Sequence, residues 1–117
     1  MWVFTNNAFI SIVQDRDMAD QLWARARIKG DLETFFNLST DLLEVIETAD
    51  ADYRWRCVVD RQLVKVALIK AVDEIDYKNF KNSIPTTKKG NMRHDNYLRV
   101  WTVMKGYQEA FARRFRK

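Results

Sequence analysis

The stretch from Leu22 to Phe36, LWARARIKGDLETFF, decides how the rest of the chain is read. Leu22, Ala24, Ala26 and Ile28 alternate with Trp23, Arg25, Arg27 and Lys29, the period of two that puts one set on each face of a strand. Gly30 ends the alternation, Asp31 stands where a helix N-cap is expected, and Leu32, Phe35 and Phe36 follow at helical spacing. A strand with one apolar side therefore runs straight into a short helix, and the rest of the sheet must be sought on either side of this unit.

Upstream, Met1 to Phe4 and Phe9 to Val13 are rich in β-branched and aromatic residues. Thr5-Asn6-Asn7 between them has turn chemistry, which predicts a β-hairpin. The polar stretch Asp15 to Asp20 then reads as a turn into the strand already described. Downstream, LLEVIET (Leu42 to Thr48) is read as a strand that pairs, across the turn ADAD, with the β-rich YRWRCVV (Tyr53 to Val59). Asp60 is placed to cap the next helix, in which Val64, Ala67, Leu68, Ala71, Val72 and Ile75 share one face that must be buried. DYKNFKNS (Asp76 to Ser83) reads as a turn or short helix before Pro85, and Thr86 to Gly90 as an exposed polar loop. Asn91 to Arg116 is expected to form the last helix, with Tyr97, Trp101, Met104 and Phe111 along an apolar stripe and Arg113, Arg114, Arg116 and Lys117 at the negative end of its dipole. The order β-β-β-α-β-β-α-α predicts an α+β domain: an antiparallel sheet of about five strands, two hairpins plus one strand, with two longer helices and one short helix packed on one face.

Composition narrows the class. At 117 residues, 47% hydrophobic and 31% charged, with only three Gly and one Pro, the chain is expected to be one packed domain, 1–117, and not a disordered segment. No apolar run approaches the roughly 20 residues that span a bilayer, so no membrane partner is expected. The start, MWVFTNNAFISIV, lacks the basic region of a signal peptide, and the single Cys57 cannot close an internal disulfide; a cytoplasmic setting is the expectation. A net charge of +4 is mildly basic and well short of the loading of a dedicated nucleic-acid binder.

Catalytic and cofactor chemistry find little support in the pattern. Cys57 shares its strand face with Tyr53, Trp55 and Val59, which favours a small buried thiol over a nucleophile. His94, the one histidine, follows the polar loop and carries no signature; a small enzyme built on His94 with Asp95 or Tyr97 has no motif behind it. Asp15, Asp17 and Asp20 lack the glycine and distal glutamate of a calcium loop, so a solvated turn is the better account. Gly30, Gly90 and Gly106 are isolated, so no phosphate-cradling loop exists, and no cofactor or metal is expected.

One constellation remains. If the two clearest strands share a sheet, Arg25, Arg27, Arg54 and Arg56 lie on one face, with Trp23 and Lys29 beside them. Such a face offers a basic, aromatic surface for an acidic partner. The competing account is a solvated face whose arginines pair with acids such as Glu44 and Asp60. Aromatic and arginine content is also what protein interfaces concentrate, so a non-enzymatic adaptor, inhibitor or regulator that binds another protein is the leading expectation. RNA or single-stranded nucleic-acid binding through Trp23, Arg25, Arg27, Arg54 and Arg56 stands as the alternative, and homo-oligomerisation is left open.

The segments MWVFTNNAFISIVQDRD, ARARIKGDLETFF, DYRWRCVVDRQLV, IDYKNFKNSI and RHDNYLRVWTVM together resemble a group of short uncharacterised bacterial proteins, over nearly the whole chain. The resemblance implies a bacterial or mobile-element origin and carries no activity, ligand or site residue with it.

Overall fold

A computed structural model describes residues 1–86 and 92–115. Of the expected loop from Thr86 to Gly90 only Thr86 lies within the described residues, and Asn91, Arg116 and Lys117 lie outside them. Contacts along the chain divide it into two compact units, Met1–Asp76 and Tyr77–Lys117.

The first unit is an α+β layer. Its strands are β1 (Trp2–Phe4), β2 (Phe9–Gln14), β3 (Gln21–Ala26), β4 (Ile46–Glu47) and β5 (Trp55–Asp60), in the spatial order β1-β2-β3-β5-β4, every neighbouring pair antiparallel. Helices α1 (Asp31–Phe36), α2 (Thr40–Leu43) and α3 (Arg61–Asp73) supply the rest. Both predicted hairpins are present. Ala24 sits across from Ile12 on one side and Cys57 on the other, so the inward set of each strand meets in a single apolar layer. Ala8, Ala24, Ala26 and Cys57 at its centre are small and fully buried, which leaves volume for Leu32, Phe35 and Phe36 of α1 in the same core.

Several local readings change. β3 stops at Ala26, and Ile28 is exposed, because the Ile28 carbonyl accepts the Asp31 N–H in the turn that sends the chain into α1. The cap of α1 is Gly30, whose φ of 94° lies in the left-handed region that glycine tolerates. Asp31 is instead the first helical residue; it is buried, and its carboxylate accepts the Phe9 N–H at 3.0 Å, fastening α1 to the start of β2. LLEVIET is not one strand. Its first half belongs to α2, which puts Leu43 into the core and ends at Glu44 in a left-handed conformation, and only Ile46–Glu47 pairs with β5.

Helix α3 starts as predicted, with the Asp60 side chain accepting the Gln62 N–H at 2.8 Å. Its buried face is shorter than the periodicity indicates. Val64 and Ala67 are buried and Leu63 and Leu68 pack partly against the core, but Val72 and Ile75 are exposed. The helix covers the sheet with its first two turns, and it ends at Asp73, so Ile75 no longer follows helical spacing.

The second unit holds a short 3₁₀ turn (Lys81–Ser83) and the 24-residue helix α4 (Met92–Phe115). The Phe80 ring stacks on Tyr97 at 5.9 Å, and the Lys81 ammonium lies 4.4 Å from the centre of the Trp101 ring. Beyond Trp101 the apolar stripe loses its cover: Met104, Tyr107, Phe111 and Phe115 are each more than half exposed.

The two units differ in charge. Residues 77–117 hold eleven of the twenty Lys and Arg residues but only two of the sixteen Asp and Glu residues, a formal +9 against −5 for residues 1–76.

Candidate functional site

The face of the sheet opposite α1 and α3 is the candidate site, and strand register builds it row by row. Trp2 pairs with Ser11, Ser11 with Arg25, Arg25 with Arg56, and Arg56 with Ile46, so one row of side chains crosses all five strands. Val13, Trp23 and Val58 form the next row. At one end, Phe9 stacks face to face on Phe4 at 4.3 Å and meets Trp2 edge-on at 6.0 Å. Trp2, Ile46 and Val58 are exposed, which gives this face an apolar rim around its arginines.

The arginines are organised by Tyr53. The guanidinium groups of Arg25 and Arg27 each lie 4.5 Å from the centre of its ring. Arg25 also donates to Ser11 Oγ at 2.9 Å, and Arg56 donates to the Tyr53 carbonyl at 3.3 Å. Such stacking fixes the guanidinium planes while leaving most of their N–H donors unmatched. Among the described residues no carboxylate lies within ion-pair reach of Arg25, Arg27 or Arg56.

Tyr53 therefore lies with the arginines and not on the side of Cys57 where strict alternation puts it. β5 begins only at Trp55, and residues 51–54 bend, with Thr48 Oγ1 donating to the Tyr53 and Arg54 carbonyls. Alternation holds only inside the strand, so Tyr53 is free of it. Arg54 is also set apart: its guanidinium pairs with Glu47 at 2.7 Å. Neither Glu44 nor Asp60 compensates the arginines, since Asp60 is occupied as the α3 cap. Lys29 lies past the end of β3, 5.8 Å from the Trp55 ring, and so leaves the face on which Trp23 sits. Trp23 donates its indole N–H to Asp15. That bond adds to those from the Asp17 and Met18 backbone N–H groups, which hold the Asp15 carboxyl below its ordinary range despite some desolvation.

Of the expected set, the structure brings together Trp23, Arg25, Arg27 and Arg56. It adds Trp2, Phe9 and Tyr53, which are not in the set expected from the sequence. The signal for the first two was present: in the first hairpin, Trp2 and Phe9 fall on the same side as Ser11 once the turn fixes the register.

The remaining groups do not converge. Cys57 is fully buried, and desolvation, with the Glu33 charge adding to it, pushes its thiol up to about 12. His94 stands in the first turn of α4 with Nδ1 3.6 Å from Asp95 Oδ1, and the Tyr97 hydroxyl accepts from Arg93 at 3.1 Å. Among the described residues, no group of three or more His, Cys, Asp or Glu side chains could hold a metal ion. No described helix is long and apolar enough to cross a membrane. A groove of about 330 Å³ runs between the start of α3 and strands β2 and β3; it is lined mainly by apolar residues, with Arg61 and Lys65 at its edge. Arg61 is spent on the Ala19 carbonyl at 2.8 Å, so the groove holds no convergent polar set.

Comparison with protein-family models, with curated proteins and with solved structures found no match.

Proposed function

We propose that this chain is a non-enzymatic binding protein, an adaptor, inhibitor or regulator that lays the arginine and aromatic face of its sheet against a partner protein bearing carboxylates. The observation that carries this reading is the cluster around Tyr53. Arg25, Arg27 and Arg56 are held in place, lack carboxylate partners within the described chain, and are flanked by exposed Trp2. Tyr, Trp and Arg are the residues on which interface energy concentrates, and a rigid guanidinium loses little freedom when it takes a carboxylate.

The same arginines favour a second reading, RNA or single-stranded nucleic acid stacked on Trp2 and Trp23. A binding titration distinguishes them. Partner captured from the native cell should bind wild type and lose roughly thirtyfold or more in affinity to Trp2→Ala or Arg27→Glu, two exposed sites whose change leaves the fold intact. Labelled RNA and single-stranded DNA should show no binding at low micromolar protein and low salt. Binding that falls by about 0.7 log unit per log unit of salt for each phosphate contact would replace the protein reading with the nucleic-acid one.

A further inference from the structure

We propose that the Arg25–Arg56 pair at the centre of the sheet face seats one phosphorylated side chain of the partner, a phosphoserine or phosphothreonine. This rests on the protein-binding reading above and names the acidic group that the paired arginines take. Register sets the two arginines directly across from one another on β3 and β5, with Ser11 of β2 directly across from Arg25. Like charges opposed across an antiparallel pair are destabilising, since their side chains start only about 5 Å apart. Nothing in the row relieves them. It runs on to Trp2 at one end and Ile46 at the other, both exposed and neither able to accept a hydrogen bond. Arg54, two residues from Arg56, does have an acid in Glu47. The chain thus supplies a carboxylate to the arginine outside the cluster and none to the two inside it.

The uncompensated charge is also held in place. Arg25 stacks on the Tyr53 ring and Arg56 donates to the Tyr53 carbonyl, so a single buried residue anchors both guanidinium groups. Arg25 Nε and Arg56 Nε are closed to solvent and have no hydrogen-bond partner among the described residues, so water screens this pair less than it would two extended surface arginines. Each guanidinium has five N–H donors, and Arg25 spends one on Ser11 Oγ as Arg56 spends one on Tyr53.

Charge selects phosphate over carboxylate. Arg27, exposed and stacked on the same ring, adds a third positive charge, and no acid lies within ion-pair reach among the described residues. A carboxylate brings one negative charge and two oxygens, which answer one guanidinium fork. A phosphorylated side chain brings about −1.5 to −2 and three oxygens, enough to accept from both paired arginines at once.

Side-chain NMR of the full chain tests the proposal by following the Arg25 and Arg56 Nε–H resonances, whose burial slows their exchange with water. The probes are capped tripeptides with phosphoserine, aspartate or serine at the centre. The phosphoserine peptide should shift both resonances with a Kd on the order of 1 mM or below, roughly tenfold or more tighter than the aspartate peptide. The serine peptide should leave them unmoved. Arg56→Gln should lose roughly tenfold or more of that affinity and Arg56→Lys should recover only part, since an ammonium keeps the charge without the planar fork. Arg99→Gln on α4 should change nothing. The wild-type shifts need no variant, so the result is readable even where Arg56→Gln fails to fold. Equal affinity for the phosphoserine and aspartate peptides overturns the proposal and leaves the protein-binding reading standing; the failure of that reading shows separately, as a captured partner indifferent to Trp2→Ala. Phosphoserine shifts that spare Arg25 and Arg56 overturn it too, as does an absence of shifts at roughly 10 mM peptide. Labelled RNA that moves the same two resonances overturns both readings and gives the seat to a nucleic-acid backbone.

Discussion

Cys57 shows how one residue's surroundings fix its chemistry. Its thiol lies in the sheet between Ala24 and the core-facing side chains of α1, and burial pushes its ionisation up to about 12. In the unfolded chain the thiol ionises near 9, so the native state favours the protonated form. The associated stability is complete below pH 9 and is lost as pH rises from about 9 toward 12. Stability measured by chemical denaturation should therefore fall with alkaline pH more steeply in wild type than in Cys57→Ala. The gap between the two curves should narrow progressively over that window. A thiol reagent should label the native protein slowly at pH 7. Rapid stoichiometric labelling would show that the sulfur is reachable. Tyr53 teaches the opposite lesson about legibility. From the sequence it belongs with Cys57, two strand positions on in each step, and only the bend at residues 51–54 moves it to the arginine side. Alternation cannot reveal where a strand begins, and the organiser of the candidate face lies just before that point.

At the scale of elements, α3 separates periodicity from burial. Its start was legible because Asp60 caps it and Val64 and Ala67 repeat on the core side, but the same pattern extends to Val72 and Ile75, which meet solvent. A hydrophobic period identifies a face and says nothing of how much sheet lies beneath it. Val64→Ala should accordingly cost on the order of 2 kcal/mol through lost burial and a residual cavity, whereas Val72→Ala should change stability by less than about 0.5 kcal/mol. Equal losses in urea unfolding would mean that the helix is covered along its whole length. The strands were more legible: the first hairpin and the alternation through Leu22, Ala24 and Ala26 occur as read, because each has one buried side and a slip of one residue would expose it. LLEVIET was the least legible. Its apolar residues suit either state, and the left-handed turn at Glu44 that divides it has no glycine to announce it.

Over the whole molecule, charge and cover are segregated together. The net +4 of the chain conceals +9 in residues 77–117 and −5 in residues 1–76. A single overall figure, used to judge partners, misses both. The unevenness predicts how the backbone opens. Amides of β2, β3 and β5 should exchange with solvent most slowly, and those of α4 beyond Trp101 faster. Hydrogen exchange measured residue by residue checks this, and α4 amides as slow as those of the central strands would overturn it. The strand order adds a last consequence. The sheet closes at one side with the three residues of β1 and at the other with the two of β4, and Glu47 carries a salt-bridged arginine beside it. A foreign strand arriving at either margin would find two or three rungs where a self-propagating fibre needs about six. Templated fibril growth on the native fold is thereby denied a foothold, and strand exchange with other chains must wait until the protein unfolds.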